Sequence, residues 1–528
     1  MLFRSDMKFT TLDIAIVIAY CIGIIFIATW VSREKSNRKK TTEDYFLASR
    51  SLPWWAIGAS LIAANISAEQ IIAMSGDGYV IGLAIATYEW TAAIALIVMA
   101  KYFLPIFLRE KIYTMPQFLE KRFDSRVKVV LAIFWLAVYV FVNLTSILYL
   151  GATALNALAE IDMFYGMLFL ASLSVAYSLY GGLKAVAFTD IIQVVLLVFG
   201  GLAVSYIALN EISGGTGVVS GFVTLWNEIP DKFDMIFQEG HPFYDKLPGL
   251  SVLIGGLWIA HFGYWGFNQY ITQRAFAAKS LDEAQKGIIF AAFLKLLMPA
   301  VVVLPGLAAV MLRPDIENSA SVYPAMMELL PAGLFGLTVA ALIAAIVSSL
   351  SSMINSISTI FTMDIYKSLK SGTDENDHAL VNIGRITSLT ALIIAVIVSR
   401  PLLESFDSAF QFIQEFTLFF TPGIVVIFLL ALFSKKATTL SVLFAAIMSL
   451  VLSLFIWYFY PSIPFIDRAG IVFISSGLMA YIIAYLQGYK DNERATNLSD
   501  ISFSTSSFFN VSSLVIIIIL GIFYATWW

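Results

Sequence analysis

Apolar runs long enough to cross a bilayer recur along the whole chain, with only short polar stretches between them. The hydrocarbon core takes about 20 helical residues. On length and hydropathy the pattern predicts an all-α polytopic membrane protein with about fourteen transmembrane helices, near residues 11–31, 54–78, 80–108, 128–156, 162–181, 184–209, 250–268, 284–312, 333–365, 378–399, 405–433, 437–460, 468–488 and 507–528. Several exceed the membrane thickness and are expected to tilt or project from it. The tightest breaks between spans are expected at Gly78–Tyr79 and at Gly181–Gly182.

Two of these spans are polar where they should be apolar. The run Ser60-Leu-Ile-Ala-Ala-Asn-Ile-Ser-Ala-Glu-Gln70 puts an Asn, a Ser, a Glu and a Gln in the middle of a membrane segment. Such groups are costly in hydrocarbon unless they face a cavity or a partner. One reading is a helix interrupted near mid-membrane, its carbonyls freed around Ala63 to Ile66 to bind an ion or line water. The other is an ordinary helix with a polar face against its neighbours. The second segment, Leu250 to Tyr270, holds Gly255, Gly256, Gly263 and Gly266 with His261, Asn268 and Gln269 among aromatics. Its glycines fit either a second interruption or close helix packing. Each segment opens a set of five spans. Five is odd, so the second set has the opposite orientation, and the pairing suggests an inverted repeat. The division expected is 1–53, an extra helix and a basic inner loop; 54–209, the first repeat; 210–249, an outer loop; 250–433, the second repeat; and 434–528, three C-terminal helices.

Composition agrees: 59% of residues are hydrophobic and only 13% charged, where a soluble chain carries about 25% charged. Nothing supports a nucleic-acid partner. Membrane lipid is the surrounding medium, and no obligatory protein partner is evident. No soluble domain of useful size is present, which argues against a receptor kinase or a membrane enzyme with a cytosolic catalytic part. Cys21 is the only cysteine, so neither an intrachain disulfide nor a cysteine metal site is available. The first apolar run, from Leu12 to Val31, is long enough to remain as a span, and no signal-peptide cleavage pattern precedes it.

Charge position sets the orientation. Basic residues cluster in Arg33, Lys35, Arg38, Lys39, Lys40 and Arg50, and again in Arg109, Lys111, Lys121, Arg122, Arg126 and Lys128. With both termini outside, only seven of the 32 Lys and Arg fall on the outer side: Arg4, Lys8, Lys232, Lys246, Arg313, Arg400 and Arg468. The positive-inside rule therefore places both termini outside.

Further polar groups fall at membrane depth: Tyr88 and Glu89, Asn143 and Thr145, Asp190, Lys295, the run Ser348 to Ser352 with Asn355, and Gln411, Gln414 and Glu415. Serines in membrane helices often bond only their own carbonyls, and an Asn can serve as interhelical glue. A Glu and a Lys are harder to dismiss, since each costs a few kcal/mol unless paired or hydrated. Amide donors and acceptors, a carboxylate, an ammonium and nearby aromatics together suit a neutral polyhydroxylated solute.

The motifs SLPWWAIGASLIAANISAEQ (51–70), YEW (88–90), YVFVNLTSILYLG (139–151), FTDIIQ (188–193), YWGFNQYITQR (264–274), KGIIFAAFLKLL (286–297), AAIVSSLSSMINS (344–356) and FQFIQEFT (410–417) run in order over nearly the whole chain. They identify it as resembling the solute:sodium symporter family, and within it the bacterial branch that carries galactose. The resemblance implies a leucine-transporter-like core of two inverted five-helix repeats, in a bacterial inner (plasma) membrane. It implies a sodium site made by carbonyls of Ala63, Ile66 and Ala345 with hydroxyls of Ser348 and Ser349, and Asp190 on the path of sodium release. Five oxygens without thiol or imidazole suit a hard monovalent cation. It implies sugar contacts from Gln70, Glu89, Asn143, Lys295 and Gln414. Tyr264 would be the inner gate, with Met74, Tyr88 and Phe410 the outer one.

Three positions depart from that pattern. Ala92 stands where the galactose carriers have a serine, His261 where they have an asparagine, and a bulky residue replaces glycine around Thr417–Leu418. His261 either meets a solute hydroxyl in place of the amide or packs as a neutral ring against Trp258 or Trp265. The function expected is sodium-driven uptake of a hexose-like sugar by alternating access, without covalent chemistry. Other organic solutes of the family, such as inositol, sialic acid or amino acids, are the alternative. An ion channel or a membrane sensor is the reading from a different class; a channel would pass sodium without solute, and a sensor would need a signalling domain.

Overall fold

A computed structural model describes residues 9–31, 41–370, 377–403 and 409–528. Fifteen helices carry the description: α1 (Thr11–Val31), α2 (Trp54–Asn65), α3 (Glu69–Val80), α4 (Leu83–Glu110), α5 (Ser125–Ala159), α6 (Met163–Ile212), α7 (residues 257–266), α8 (Gln269–Phe276), α9 (Leu281–Leu312), α10 (Leu334–Leu369), α11 (Asp377–Leu403), α12 (Ala409–Phe433), α13 (Thr439–Phe459), α14 (Phe465–Leu486) and α15 (Ser507–Thr526). Among the described residues eleven helices are long and apolar enough to cross a membrane, or twelve when the bent pair α2 and α3 is one span. The protein is an all-α, multi-pass integral membrane protein.

One expected boundary is met and one is corrected. The tight break expected at Gly181–Gly182 is present: Gly182 leaves helical geometry (φ 60°, ψ −154°) and divides α6 into two helical stretches with no loop between them. The break expected at Gly78–Tyr79 comes later, at Gly82, whose φ of 114° ends the turn after α3. Amides of Ile81 and Gly82 both return to the Asp77 carbonyl (2.7 and 3.2 Å), and Lys232 Nζ caps the carbonyls of Val80 (2.6 Å) and Tyr79 (3.3 Å). That cation comes from a distant loop, so local sequence does not announce the stop.

Burial grades from centre to rim. The most apolar window of α10 is 89% buried, against 28% in each of α13, α14 and α15 and 11% in α1. The rim helices show Ile, Leu and Phe outward, the surface a lipid-facing helix needs. Asp13 ties α1 to the start of α10: its buried carboxylate accepts from the amides of Gly333 (2.7 Å) and Gly336 (2.9 Å), where free helix N-terminal donors favour an anion.

Long-range contacts join the loops in separate groups. The Arg50 guanidinium donates to carbonyls of Phe276 (3.1 Å), Lys111 and Ile112 (both 3.2 Å), and Leu52 bridges to Ala278. These belong to loops rich in Lys and Arg. Elsewhere, Tyr79 donates to the Pro314 carbonyl (2.7 Å) and the Met235 amide to that of Trp527 (2.8 Å). Arg33, Lys35, Arg38, Lys39 and Lys40, with Arg4 and Lys8, lie outside the described residues.

Candidate functional site

The first polar segment is interrupted. The chain leaves helical geometry at Ile66 (φ −82°, ψ 107°), and α2 and α3 are bent by 64° at the break. In a continuing helix the Ser67 amide would return to the Ala63 carbonyl. It goes instead to Gln70 Oε1 (3.0 Å), which also accepts from Ser67 Oγ (3.1 Å). The Ala63 carbonyl thereby loses its helical donor. Ser349 Oγ on α10 reaches the carbonyls of Ala64 (3.0 Å) and Ile66 (3.4 Å). Of the group expected to hold a cation, Ser349 and Ile66 are thus in contact. Ala345 lies one turn before Ser349, and Ala63, Ile66, Ala345, Ser348 and Ser349 are all buried. The Ala64 carbonyl, not expected in the set, is the nearer partner of Ser349.

Ser348 turns to Asp190 on α6, donating to Oδ1 (2.6 Å), while Ser60 Oγ donates to Oδ2 (2.5 Å). Arg274 on α8 stands 3.7 Å from the same Oδ2 and donates through Nε to Ser60 Oγ (2.9 Å), and through its terminal nitrogens to the Tyr270 carbonyl and Ser352 Oγ. Asp190 and Arg274 are fully buried, so the pair holds α2, α6, α8 and α10 together beside the first break. A buried carboxylate without such a partner would be strongly destabilising.

A cavity of about 100 Å³ adjoins the break, lined there by Asn65, Glu69 and Gln70. Its wall includes Gln70, Met74, Tyr88, Glu89, Asn143, His261, Tyr264, Lys295 and Gln414, so the expected solute contacts and three of the four gate residues converge. The Phe410 side chain lies outside the described residues. Lys295 on α9 donates to Glu89 Oε2 on α4 (2.5 Å) and to Asn65 Oδ1, and its ammonium sits 4.9 Å over the Trp265 ring. Asn65 Nδ2 in turn donates to the Tyr264 hydroxyl (2.9 Å), which also receives Tyr270. The close approach of α2 and α9 behind this contact needs glycine: a Cβ on Gly58 would lie 2.5 Å from the Gly287 carbonyl oxygen.

The second polar segment is interrupted twice, at Gly255 (φ −117°, ψ −133°) and at Phe267–Asn268, beyond Tyr264. There Asn268 Oδ1 accepts from the Tyr139 hydroxyl (2.5 Å) and the Tyr270 amide (3.2 Å), and the Gln269 amide donates to Tyr139 (3.0 Å).

Several wall residues were not expected. Asn65 sits in the polar run of the first segment yet was not separated from it as a contact. Glu69 lines the cavity with Oε1 buried and without a partner among the described residues. Arg274, a lone charge in the quoted YWGFNQYITQR motif, was the available signal for the Asp190 pair. Ala92 is fully buried but does not line the cavity; its neighbour Thr91 meets His261 instead (2.6 Å). Leu418 does line it. Glu415 is paired with Arg468 on α14 (2.8 Å).

An interrupted helix facing serine hydroxyls lies beside a polar and aromatic cavity in a multi-pass bundle, an arrangement that suits a membrane transporter. A model of the sodium:solute symporter family matches residues 45–448, and the chain belongs to that family: it is a secondary active transporter that couples sodium to a small organic solute by alternating access. The chain is 47% identical to the sodium/glucose cotransporter of Vibrio parahaemolyticus, over 98% of each chain. It is 31% identical to the sodium/glucose cotransporter 1 of Ovis aries (80% of this chain, 68% of that one). It is also 31% identical to the sodium/myo-inositol cotransporter 2 of Homo sapiens (84% and 69%). Among solved structures, the substrate-bound outward-open state of a Na+-coupled sialic acid symporter superposes with a TM-score of 0.79, at 23% identity, over 91% of this chain and 98% of that one. At that identity the likeness is one of fold.

Proposed function

We propose that the protein imports a hexose-like sugar, such as glucose or galactose, with sodium across a bacterial inner membrane. The observation that carries this reading is the cavity wall, where Lys295, Gln70, Asn143 and Gln414 supply donors, Glu69 and Glu89 supply acceptors, and Tyr264 and Trp265 supply aromatic faces. A solute with many neutral hydroxyls satisfies such a wall; an apolar one leaves its polar groups unpaired. The full-length likeness to a sodium/glucose cotransporter supports the same solute class. Myo-inositol, named for another relative, is a second reading, since its ring of hydroxyls meets the same groups. An anionic solute fits less well, because the ammonium in the wall, Lys295, is already paired with Glu89.

In this reading sodium binds between the carbonyls of Ala63, Ile66 and Ala345 and the hydroxyls of Ser348 and Ser349, with Asp190 beside its way out. Gln70, Glu89, Asn143, His261, Lys295 and Gln414 hold the sugar. Tyr264 closes the cavity from inside, and Met74, Tyr88 and Phe410 from outside. Residues 54–209 and 250–433 form two inverted repeats of a leucine-transporter-like core within about fourteen spans, and both termini are outside. Sodium binding favours the state that accepts the sugar. Uptake of labelled hexoses, polyols, sialic acid and amino acids into proteoliposomes, with and without an inward sodium gradient, tests the proposal. Sodium-dependent accumulation of a hexose is expected; accumulation of only a charged solute overturns it.

A further inference from the structure

We infer that Thr91 is a specificity-positioning residue, holding His261 so that the imidazole offers the cavity a hydrogen-bond acceptor, Nδ1, which the solute must answer with a donor. This rests on reading the central cavity as the solute site and takes that reading one step further.

Thr91 Oγ1 lies 2.6 Å from the Thr87 carbonyl oxygen and 2.6 Å from His261 Nε2. A threonine hydroxyl has one proton. A carbonyl oxygen cannot donate, so the contact with Thr87 uses that proton. The contact with His261 is then made by Nε2–H pointing at the hydroxyl oxygen. A neutral imidazole has one N–H, which leaves Nδ1 as a bare acceptor. Giving the threonine proton to Nε2 instead would forfeit the Thr87 contact and keep one hydrogen bond where two are available. Thr91 and His261 are both buried, so no bulk water makes good the loss.

His261 lines the cavity and Thr91 does not, so Thr91 acts through the ring. Nδ1 has no protein partner among the described residues. The ring is steadied from a second side: Trp258 stands edge-on at 6.1 Å and is itself pinned by its Nε1 bond to the Leu253 carbonyl (2.5 Å). The choice of tautomer has a chemical consequence. A solute hydroxyl satisfies Nδ1. A fluorine, an ether oxygen or a bare hydrogen at the same position does not, and leaves a buried acceptor unpaired.

The test combines a spectroscopic and a transport readout on the whole protein in lipid nanodiscs and proteoliposomes. The chain has three histidines, so isotope-labelled imidazole nitrogens are resolvable by NMR, with His261 assigned by its loss in His261→Asn. In the wild type and in Thr91→Ser, His261 is expected to carry its proton on Nε2 alone; in Thr91→Val the proton redistributes between the nitrogens. Uptake of glucose and galactose is then compared with that of their monodeoxy, deoxyfluoro and O-methyl analogues. At one ring position all three replacements should weaken binding by about tenfold or more, and Thr91→Val should relax the penalty for the fluoro analogue at that position alone. A proton on Nδ1 of wild-type His261 overturns the inference, as does a Thr91→Val variant with unchanged proton position and analogue pattern. If Thr91→Val does not fold, the wild-type and Thr91→Ser spectra still decide. If no sugar is carried while Nε2–H is observed, the solute reading falls and the hold of Thr91 on the ring stands. If sugars are carried but Nδ1 is protonated, only this inference falls.

Discussion

At the break at residues 66–68 a hydroxyl from another helix stands against the backbone carbonyls, whereas at the break at residues 267–268 the side chains of Asn268 and Tyr139 bond each other and the amides that restart the helix. At the first, Ser67 turns to Gln70, and the hydroxyl of Ser349 approaches the exposed carbonyls. At the second, Asn268 caps the restarting helix and Tyr139 takes both its amide oxygen and the Gln269 amide. Open carbonyls beside hydroxyls suit a cation, which needs oxygens and no donors. A filled break fixes the backbone and leaves its neighbours His261 and Tyr264 in the cavity wall, where a solute needs both donors and acceptors. The same device, a helix interrupted in a membrane protein, thus supplies two chemistries. Lys295 lies between them, touching Asn65 at the first break and Glu89 across the cavity.

The largest expected effect separates these roles. Lys295→Ala leaves Glu89 buried without its cation, and breaking such a pair costs about 3–5 kcal/mol. That cost falls on stability; solute binding, which loses a charged hydrogen bond of about 1.5–3 kcal/mol, should fall by about tenfold or more, and a loss under threefold in a binding titration would make the pair structural. Ser349→Ala comes next: it withdraws the hydroxyl from the Ala64 and Ile66 carbonyls, at about 1–3 kcal/mol. The sodium concentration for half-maximal uptake should rise by about tenfold, while the ranking of solutes stays the same. Leu418→Ala enlarges the cavity wall and should reorder hexoses several-fold, within the range of about 1–3 kcal/mol for small changes in a binding pocket. Competition among epimers measures it. Tyr139→Phe is the smallest. It removes one donor and one acceptor from the second break, about 1 kcal/mol, and should lower thermal stability slightly with sodium dependence unchanged.

The spans were legible because a membrane forces long apolar runs, and the first interruption was legible because Asn65, Ser67, Glu69 and Gln70 are costly there unless used. Legibility failed where the cause lies far along the chain. The stop at Gly82 depends on Lys232, and the surroundings of Asp190 depend on Ser60, Ser348 and Arg274, from three other helices. The break at Gly181–Gly182 was legible because paired glycines admit the positive φ that a tight bend needs, and Gly182 adopts it. The replacement of a serine by Ala92 suggested a change in the cavity wall, but the residue facing His261 is Thr91, one position earlier on the helix. A change of helix face by one residue is not decidable from residue types alone when both neighbours are small.

The most direct measurement is equilibrium sodium binding to purified wild type, Ser349→Ala and Lys295→Ala with no solute present, so that sodium and solute affinities are not mixed by their linkage. If the first break holds the ion and the cavity holds the solute, Ser349→Ala weakens sodium binding by about tenfold and Lys295→Ala does not weaken it. Sodium binding that survives Ser349→Ala but is lost in Lys295→Ala would contradict the division of labour between the two breaks.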